Sequence, residues 1–166
     1  MDRDVFNVGT LARPEQPFVL AAKSLTVFKL RVQLQDVSRS LQVVQLDSRK
    51  IQNWIALSLA FKTAFQFPSY YGDNWSALDD CMRDLGWFAG DGIALIFERA
   101  ETLLVKDPNL RGQLCQALQD YGQYWSEIPN RVDLGKRRPM AFHSIFITSE
   151  SEPWLKALPR FELTAT

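Results

Sequence analysis

Residues 67–82 read FPSYYGDNWSALDDCM and join a short aromatic loop to the most regular helical pattern of the chain. Pro68 ends the preceding helical pattern, and Asn74 is a good N-cap for the helix that follows. At about 100° per residue, one side of this helix collects the apolar side chains: Trp75, Leu78, Cys81, Met82 and Leu85. The other side collects Ser76, Asp79, Asp80, Arg83 and Asp84. Because an apolar stripe faces the core, we expect the acidic stripe to face solvent or a partner.

The negative charge of the chain is concentrated around this helix. Over 166 residues, 19 Lys+Arg balance 19 Asp+Glu, yet residues 66–92 carry five carboxylates against a single arginine. Such a patch suits a basic partner surface. The alternative is an acidic helix face that is merely solvated.

The composition excludes several classes of protein. Hydrophobic residues make up 46% and charged residues 23%, which is typical of a globular domain. No apolar run approaches the roughly 20 residues of a membrane span, and the first residues lack the pattern of a secretory signal. Two cysteines are too few for a disulfide framework, and zero net charge argues against direct nucleic-acid binding. We expect a cytoplasmic protein, monomeric when free, that contacts neither membrane nor nucleic acid.

The flanking sequence predicts an α/β fold. Strands are expected at 41–46, 92–98 and 140–148, separated by helices over 49–65, 74–85 and from Asp107-Pro108 to about 125. Strands separated by helices favour a small parallel sheet, here of three strands. Residues 28–35, FKLRVQLQ, alternate strictly and favour an extra N-terminal edge strand, although a helix is also compatible because no breaker interrupts 23–35.

The sequence contains no recognisable catalytic or metal-binding constellation. His143 is the only histidine and lies in an expected buried strand, where we interpret it as a satisfied core or edge residue. The cysteines are 34 positions apart, without the spacing of a zinc site. Cys81 lies on the apolar helix face and is interpreted as a core residue. We therefore expect no enzyme activity, no metal and no cofactor.

The run Pro-x-Tyr-Tyr-Gly-x-Asn-x-x-Ala-Leu-x-Asp-Cys, residues 68–81, resembles the barstar-related family of bacterial ribonuclease inhibitors. The resemblance implies a barstar-like α/β domain over residues 41–148. Residues 1–40 then form an N-terminal extension packed on the core, and residues 149–166 form a C-terminal tail. It further implies that the loop and helix block the active site of a basic, extracellular-type, guanyl-preferring ribonuclease that is cytotoxic.

The resemblance also assigns roles to single residues. Asp80 matches the inhibitor carboxylate that occupies the phosphate-binding site of the nuclease, and Tyr70 matches the loop aromatic over its catalytic region. The family contacts at the helix start match Gly72 and Asn74. Asp84 lies on the same acidic side of the helix, and Tyr71 is interpreted as a core residue. The alternative interpretation of Gly72 is that the turn needs it only for a positive φ angle. The alternative interpretation of Asn74 is that it serves only as the helix cap.

The sequence departs from the family pattern at three expected contacts. Ser76 stands where a second acidic contact usually lies, and Asp79 stands at a position that is aromatic in the best-known member. Trp87 matches the interface tryptophan only after a two-residue insertion. Asp79 and Asp84 have the alternative reading of solvated side chains. The predicted function is a ribonuclease inhibitor, and the alternative is a regulatory module that binds another basic protein without inhibiting a nuclease.

Overall fold

The computed structural model describes residues 5–23, 26–38, 40–127 and 139–163. Its strands are β1 Val5–Phe6, β2 Val19–Lys23, β3 Leu41–Asp47, β4 Gly92–Glu98, β5 Ala141–Thr148 and β6 Arg160–Phe161. Its helices are α1 Val8–Leu11, α2 Val27–Val37, α3 Trp54–Ala64, α4 Trp75–Asp84 and α5 Asn109–Glu127, with 3-10 turns at Ser48–Lys50 and Ala100–Thr102. None of the helices in these ranges combines the length and apolar content that a membrane crossing requires.

The described strands form one parallel sheet in the order β1-β6-β2-β5-β4-β3. The α/β class and the three predicted strands, now β3, β4 and β5, are confirmed. The expectation of a three-stranded sheet is wrong, because β2 pairs with the free side of β5 and β6 and β1 extend the sheet further. The sheet therefore crosses both expected boundaries, at residues 40 and 148, and the division into extension, domain and tail stays a prediction.

The predicted edge strand at 28–35 is instead part of α2. The alternating apolar residues fit either structure, and the helix buries Val27, Leu30 and Leu34, which share one helical face. Phe28 and Val32 are left exposed on the opposite face. The strand that extends the sheet beyond β5 is β2, and not residues 28–35.

The helix predicted over 49–65 also begins later than expected. Asp47 accepts a hydrogen bond from the backbone N of Arg49 at 3.1 Å and caps only the short 3-10 turn. Asn53 is the N-cap of α3, since its Oδ1 accepts from the backbone N of Ala56 at 3.1 Å. The first turn of the predicted helix is thus a separate element that turns the chain from β3 into α3.

Helices cover both faces of the sheet. Along β4, Ile93, Leu95 and Phe97 join the core formed with α3, α4 and α5, whereas Ala94 and Ile96 join a second core with α1 and α2. This double cover explains the unbroken apolar run of β4, which has no solvent face. The candidate loop and helix lie on the side of α3 to α5.

His143 is a core residue, one of the two positions that the sequence predicted for it. It is fully buried, and its ring nitrogens lie 2.9 Å from the carbonyl O of Pro17 and 2.7 Å from that of Arg13. Burial lowers the pKa of this histidine. The neutral imidazole carries a single N–H, so the ring donates to only one of the two carbonyls at a time. Its role is to hold the segment before β2 against β5.

Candidate functional site

Two adjacent tyrosines of the loop between α3 and α4 point in opposite directions. Tyr71 is buried, its hydroxyl lies 2.7 Å from Ser58 Oγ, and its ring packs edge-on against Phe67 at 4.9 Å. Burial raises the pKa of the Tyr71 hydroxyl. The side chain of Tyr70 is 72% exposed. Tyr71 is therefore the core residue that the sequence predicted, and it fixes the backbone from which Tyr70 projects.

Asn74 links this loop to α4 through both ends of its side-chain amide. Its Oδ1 accepts from the backbone N of Ala77 at 2.9 Å, which caps the helix, and its Nδ2 donates to the carbonyl O of Gly72 at 3.2 Å. A Cβ at Gly72 would lie 3.1 Å from that Nδ2. The alternative that Gly72 serves a positive φ is wrong, since the left-handed residue here is Asp73, at φ 50°. Gly72 is instead explained by close contact with the capping side chain.

The two faces of α4 largely match the helical pattern. Leu78, Cys81 and Met82 are buried in the core. Burial raises the pKa of the Cys81 thiol, and the neighbouring carboxylates of Asp80 and Asp84 raise it further, so this thiol is a core group as predicted.

The outward side of α4 carries Ser76, Asp80 and Asp84, which we call the acidic ridge. Ser76 and Asp80 are exposed and Asp84 is half-buried. Side chains four apart on a helix are neighbours, with Cβ atoms about 5–6 Å apart. The three side chains therefore form one row, inclined to the helix axis.

Asp79 does not belong to this row, although the sequence pattern placed it there. It is half-buried and accepts a hydrogen bond from the hydroxyl of Tyr121, on α5. Burial raises the pKa of Tyr121, and the bond to the Asp79 carboxylate raises it further. The indole Nε1 of Trp125 also donates to the carbonyl O of Met82, at 2.9 Å. Two side chains of α5 thus hold α4 in place, and the role of Asp79 in partner contact stays a prediction.

Arg83 of α4 lies over two aromatic rings of α5. Its guanidinium carbon is 5.3 Å from the ring centroid of Tyr124 and 6.0 Å from that of Tyr121. Cation–π contacts of this kind keep an arginine close to the protein surface. The guanidinium of Arg83, the basic group among the carboxylates of residues 66–92, therefore lies toward α5.

Two further predicted contact residues lie outside α4, Tyr70 in the loop before it and Trp87 just after it. Partial desolvation raises the pKa of the Tyr70 hydroxyl, and the negative charge of Asp84 raises it further. Trp87 is half-buried, its Nε1 donates to the carbonyl O of Phe65 at 2.9 Å, and its ring packs against Phe67. Trp87 therefore supports the base of the loop, and its contact with a partner stays a prediction.

No group of three or more His, Cys, Asp or Glu side chains in the described parts of the chain is arranged to hold a metal ion. The site residues that sequence reasoning missed are supporting ones, namely Ser58 under Tyr71 and Tyr121 beside Asp79. Tyr121 and Trp125 are spaced by four along α5, which is typical of the core-facing side of a helix and does not indicate polar bonds to α4.

A family model described as Barstar (barnase inhibitor) matches residues 41–142, from the start of β3 into β5. The match covers more than half of the chain and includes the loop, α4 and α5. No curated protein matches this sequence.

Proposed function

The chain belongs to the barstar family, and on that premise we propose that it is a cytoplasmic inhibitor of a basic, cytotoxic, guanyl-preferring ribonuclease of the extracellular type. It acts as a steric block without catalysis and without a metal or cofactor. The observation that carries the proposal is the outward presentation of Asp80 on a helix that α5 holds in place.

The acidic ridge supplies the charge for this function. The Asp80 carboxylate stands in for an RNA phosphate and binds the arginine and lysine side chains of the nuclease active site. Asp80 and Asp84 are like charges four residues apart, and their repulsion costs a few tenths of a kcal/mol in the free protein. A cationic cleft removes this cost on binding and steers the association electrostatically.

The loop supplies apolar contact area at a low entropic cost. Tyr70 offers an exposed aromatic ring, and aromatic side chains are common anchors of protein interfaces. Its backbone is already ordered by the buried Tyr71, the Asn74 cap and the contact at Gly72. The loop therefore loses little conformational entropy on binding, which favours tight association.

The proposal is tested by titrating the protein into a guanyl-preferring ribonuclease that cleaves RNA. We expect stoichiometric inhibition at nanomolar protein, with affinity that falls as the salt concentration rises, because the interface pairs opposite charges. The chain alone is expected to leave RNA intact. Absence of inhibition across several such nucleases, including any encoded beside this gene, contradicts the proposal.

Ser76 favours a second function, that of a regulatory module for another basic protein. It is exposed on the acidic ridge at the position of a family acidic contact, and α4 has no acidic side chain in its first turn. Capture of a basic protein that is not a nuclease, through Asp80, would support this alternative.

Ser76→Asp is expected to strengthen nuclease binding about tenfold, or about 1.4 kcal/mol. A carboxylate in the first turn also interacts favourably with the helix dipole, which adds about 0.3–1 kcal/mol of stability. Calorimetric titration measures the affinity and thermal melting the stability. Ser76→Asn, of similar shape and without charge, is the matched control. Equal affinities for the two variants would show that position 76 is not engaged.

A further inference from the structure

The neighbouring strands β2 and β5 send the chain toward opposite faces of the sheet. After β2 it enters α2, whose Val27 and Leu30 join the core that α1 also joins. After β5 it forms a turn whose Leu155 joins the core with α3, α4 and α5. Adjacent parallel strands with connections on opposite faces leave a crevice outside their carboxyl ends, and open α/β sheets bind ligands at such a switch point. The topology therefore places a candidate ligand site at Lys23 and Thr148, the paired last residues of the two strands.

The structure contains two hollows at this point. The first hollow has a volume of about 280 Å³ and includes Lys23 and Thr148, and its apolar lining is formed by Ala21, Ala22, Leu155 and Leu158. The second hollow has a volume of about 230 Å³, lies toward the start of α2 and shares Lys23 and Arg160 with the first. Sites for small molecules usually have about 300–1,000 Å³. The two adjoining hollows together therefore have room for one small ligand.

The second hollow is basic. Lys23, Lys29 and Arg160 line it together with the carboxylate of Glu162. Glu162 is paired with Arg160 at 2.8 Å, whereas neither lysine takes part in an ion pair with another described residue. Two positive charges are therefore left without a carboxylate. A phosphomonoester carries a charge of about −1.5 to −2 at pH 7 and three acceptor oxygens, which matches two ammonium groups and the remaining donors of the guanidinium.

The first hollow adds two carboxylates, those of Glu150 and Glu152, and the ammonium of Lys156. Hydrogen bonds fix the turn that carries them. Thr148 Oγ1 donates to the carbonyl O of Glu150 at 3.0 Å, and the carbonyl O of Glu152 accepts from the backbone N of Leu155 at 3.1 Å. Ionised carboxylates accept hydrogen bonds from hydroxyl groups and repel phosphate. The first hollow therefore suits the hydroxyl groups of a ligand, and the second hollow suits its phosphate.

We propose that this crevice binds a small sugar phosphate. The phosphate lies between Lys23, Lys29 and Arg160, and the sugar hydroxyls donate to Glu150 and Glu152. Every residue that lines the two hollows lies outside residues 41–142, the part of the chain that the family model matches. The site is therefore separate from the acidic ridge, and the inference does not depend on the proposed function.

Isothermal titration calorimetry of the full chain tests the site with ribose 5-phosphate, inorganic phosphate and ribose. We expect ribose 5-phosphate to bind with a dissociation constant below about 1 mM, about tenfold more tightly than inorganic phosphate. Ribose should give no measurable binding, because it lacks the charged group. Lys23→Gln and Lys29→Gln should each weaken the binding of both phosphate probes about tenfold, since each removes one charge-assisted contact.

Two further variants test the carboxylate end and the location. Glu152→Gln should reduce the preference for ribose 5-phosphate over inorganic phosphate, measured as the ratio of the two dissociation constants. Lys50→Gln is the matched control, because Lys50 is an exposed lysine just after β3, three strands away from β2. It removes the same charge and should leave both dissociation constants unchanged. Circular dichroism establishes that each variant is folded.

Absence of ribose 5-phosphate binding at about 10 mM, ten times the expected limit, overturns the inference. Equal weakening by Lys50→Gln also overturns it, since binding would then follow the net charge of the chain. Unchanged binding by Lys23→Gln and Lys29→Gln would place the ligand elsewhere. If ribose 5-phosphate binds no more tightly than inorganic phosphate, the crevice holds an adventitious ion only, and the assignment to a sugar phosphate is wrong.

Discussion

Asp80→Ala is expected to weaken binding to a guanyl-preferring ribonuclease at least about a hundredfold, or about 2.7 kcal/mol. Removing one member of a buried, hydrogen-bonded charge pair at an interface costs about 2–5 kcal/mol, since the opposite charges of the partner are left without compensation. The effect should appear mainly in the dissociation rate. The dependence of association on salt should also become weaker.

The same substitution is expected to leave the fold intact. Asp80 is exposed on the outer side of α4, whereas the neighbouring Cys81 and Met82 are buried. Surface substitutions usually change stability by less than about 0.5 kcal/mol. Loss of the repulsion with Asp84 also favours the helix slightly. Thermal melting of the free variant should therefore match that of the natural chain.

Asp36→Ala is the matched control, because Asp36 is an exposed carboxylate on α2, across the sheet. It removes the same net charge and should leave nuclease affinity nearly unchanged. Asp80→Asn separates charge from shape and should lose most of the affinity that Asp80→Ala loses. If Asp80→Ala unfolds the protein while binding is retained, the outward orientation of α4 is wrong. If Asp36→Ala loses as much nuclease affinity as Asp80→Ala, binding depends on the net charge of the chain and not on the acidic ridge.

The loop and α4 could be predicted from sequence because their signals agree with one another. Asn74 caps the helix, the apolar residues repeat at helical spacing, and Pro68 precedes the turn that places Tyr71 inward. Each signal is local and depends on residues at most a few positions apart. The residues that determine the conformation of this segment are therefore the same ones that allow it to be predicted.

The errors arose where the outcome depends on distant residues. A helical pattern gives the direction of Asp79 around α4 but not the position of α5, from which Tyr121 reaches it. The alternation of residues 28–35 fits strand or helix, and packing of Leu30 and Leu34 under the sheet selects the helix. The strands β1 and β6 have two residues each, too few for any periodicity, so the six-stranded sheet could not be counted from sequence.

Gly122→Ala is expected to destabilise the protein by about 3 kcal/mol and to lower the melting temperature by about 6–12 °C. Gly122 is buried in α5, and a Cβ there would lie 2.3 Å from Cγ and 2.4 Å from Cβ of Phe18. The Cβ of Phe18 is fixed to the backbone just before β2, so the overlap is relieved only by moving α5 away from that strand. Chemical or thermal unfolding measures the loss.

Gly112→Ala on the same helix is the matched control. Apart from the adjoining residues and the backbone of the helix itself, no atom lies within 4 Å of the Cβ that it adds, and alanine in a helix is more stable than glycine by about 1 kcal/mol. The two substitutions make the same chemical change and should have opposite signs. The contrast also tests whether residues before 41, which precede the family match, are part of the folded unit. If both variants are stabilised equally, the close contact between Phe18 and α5 is wrong.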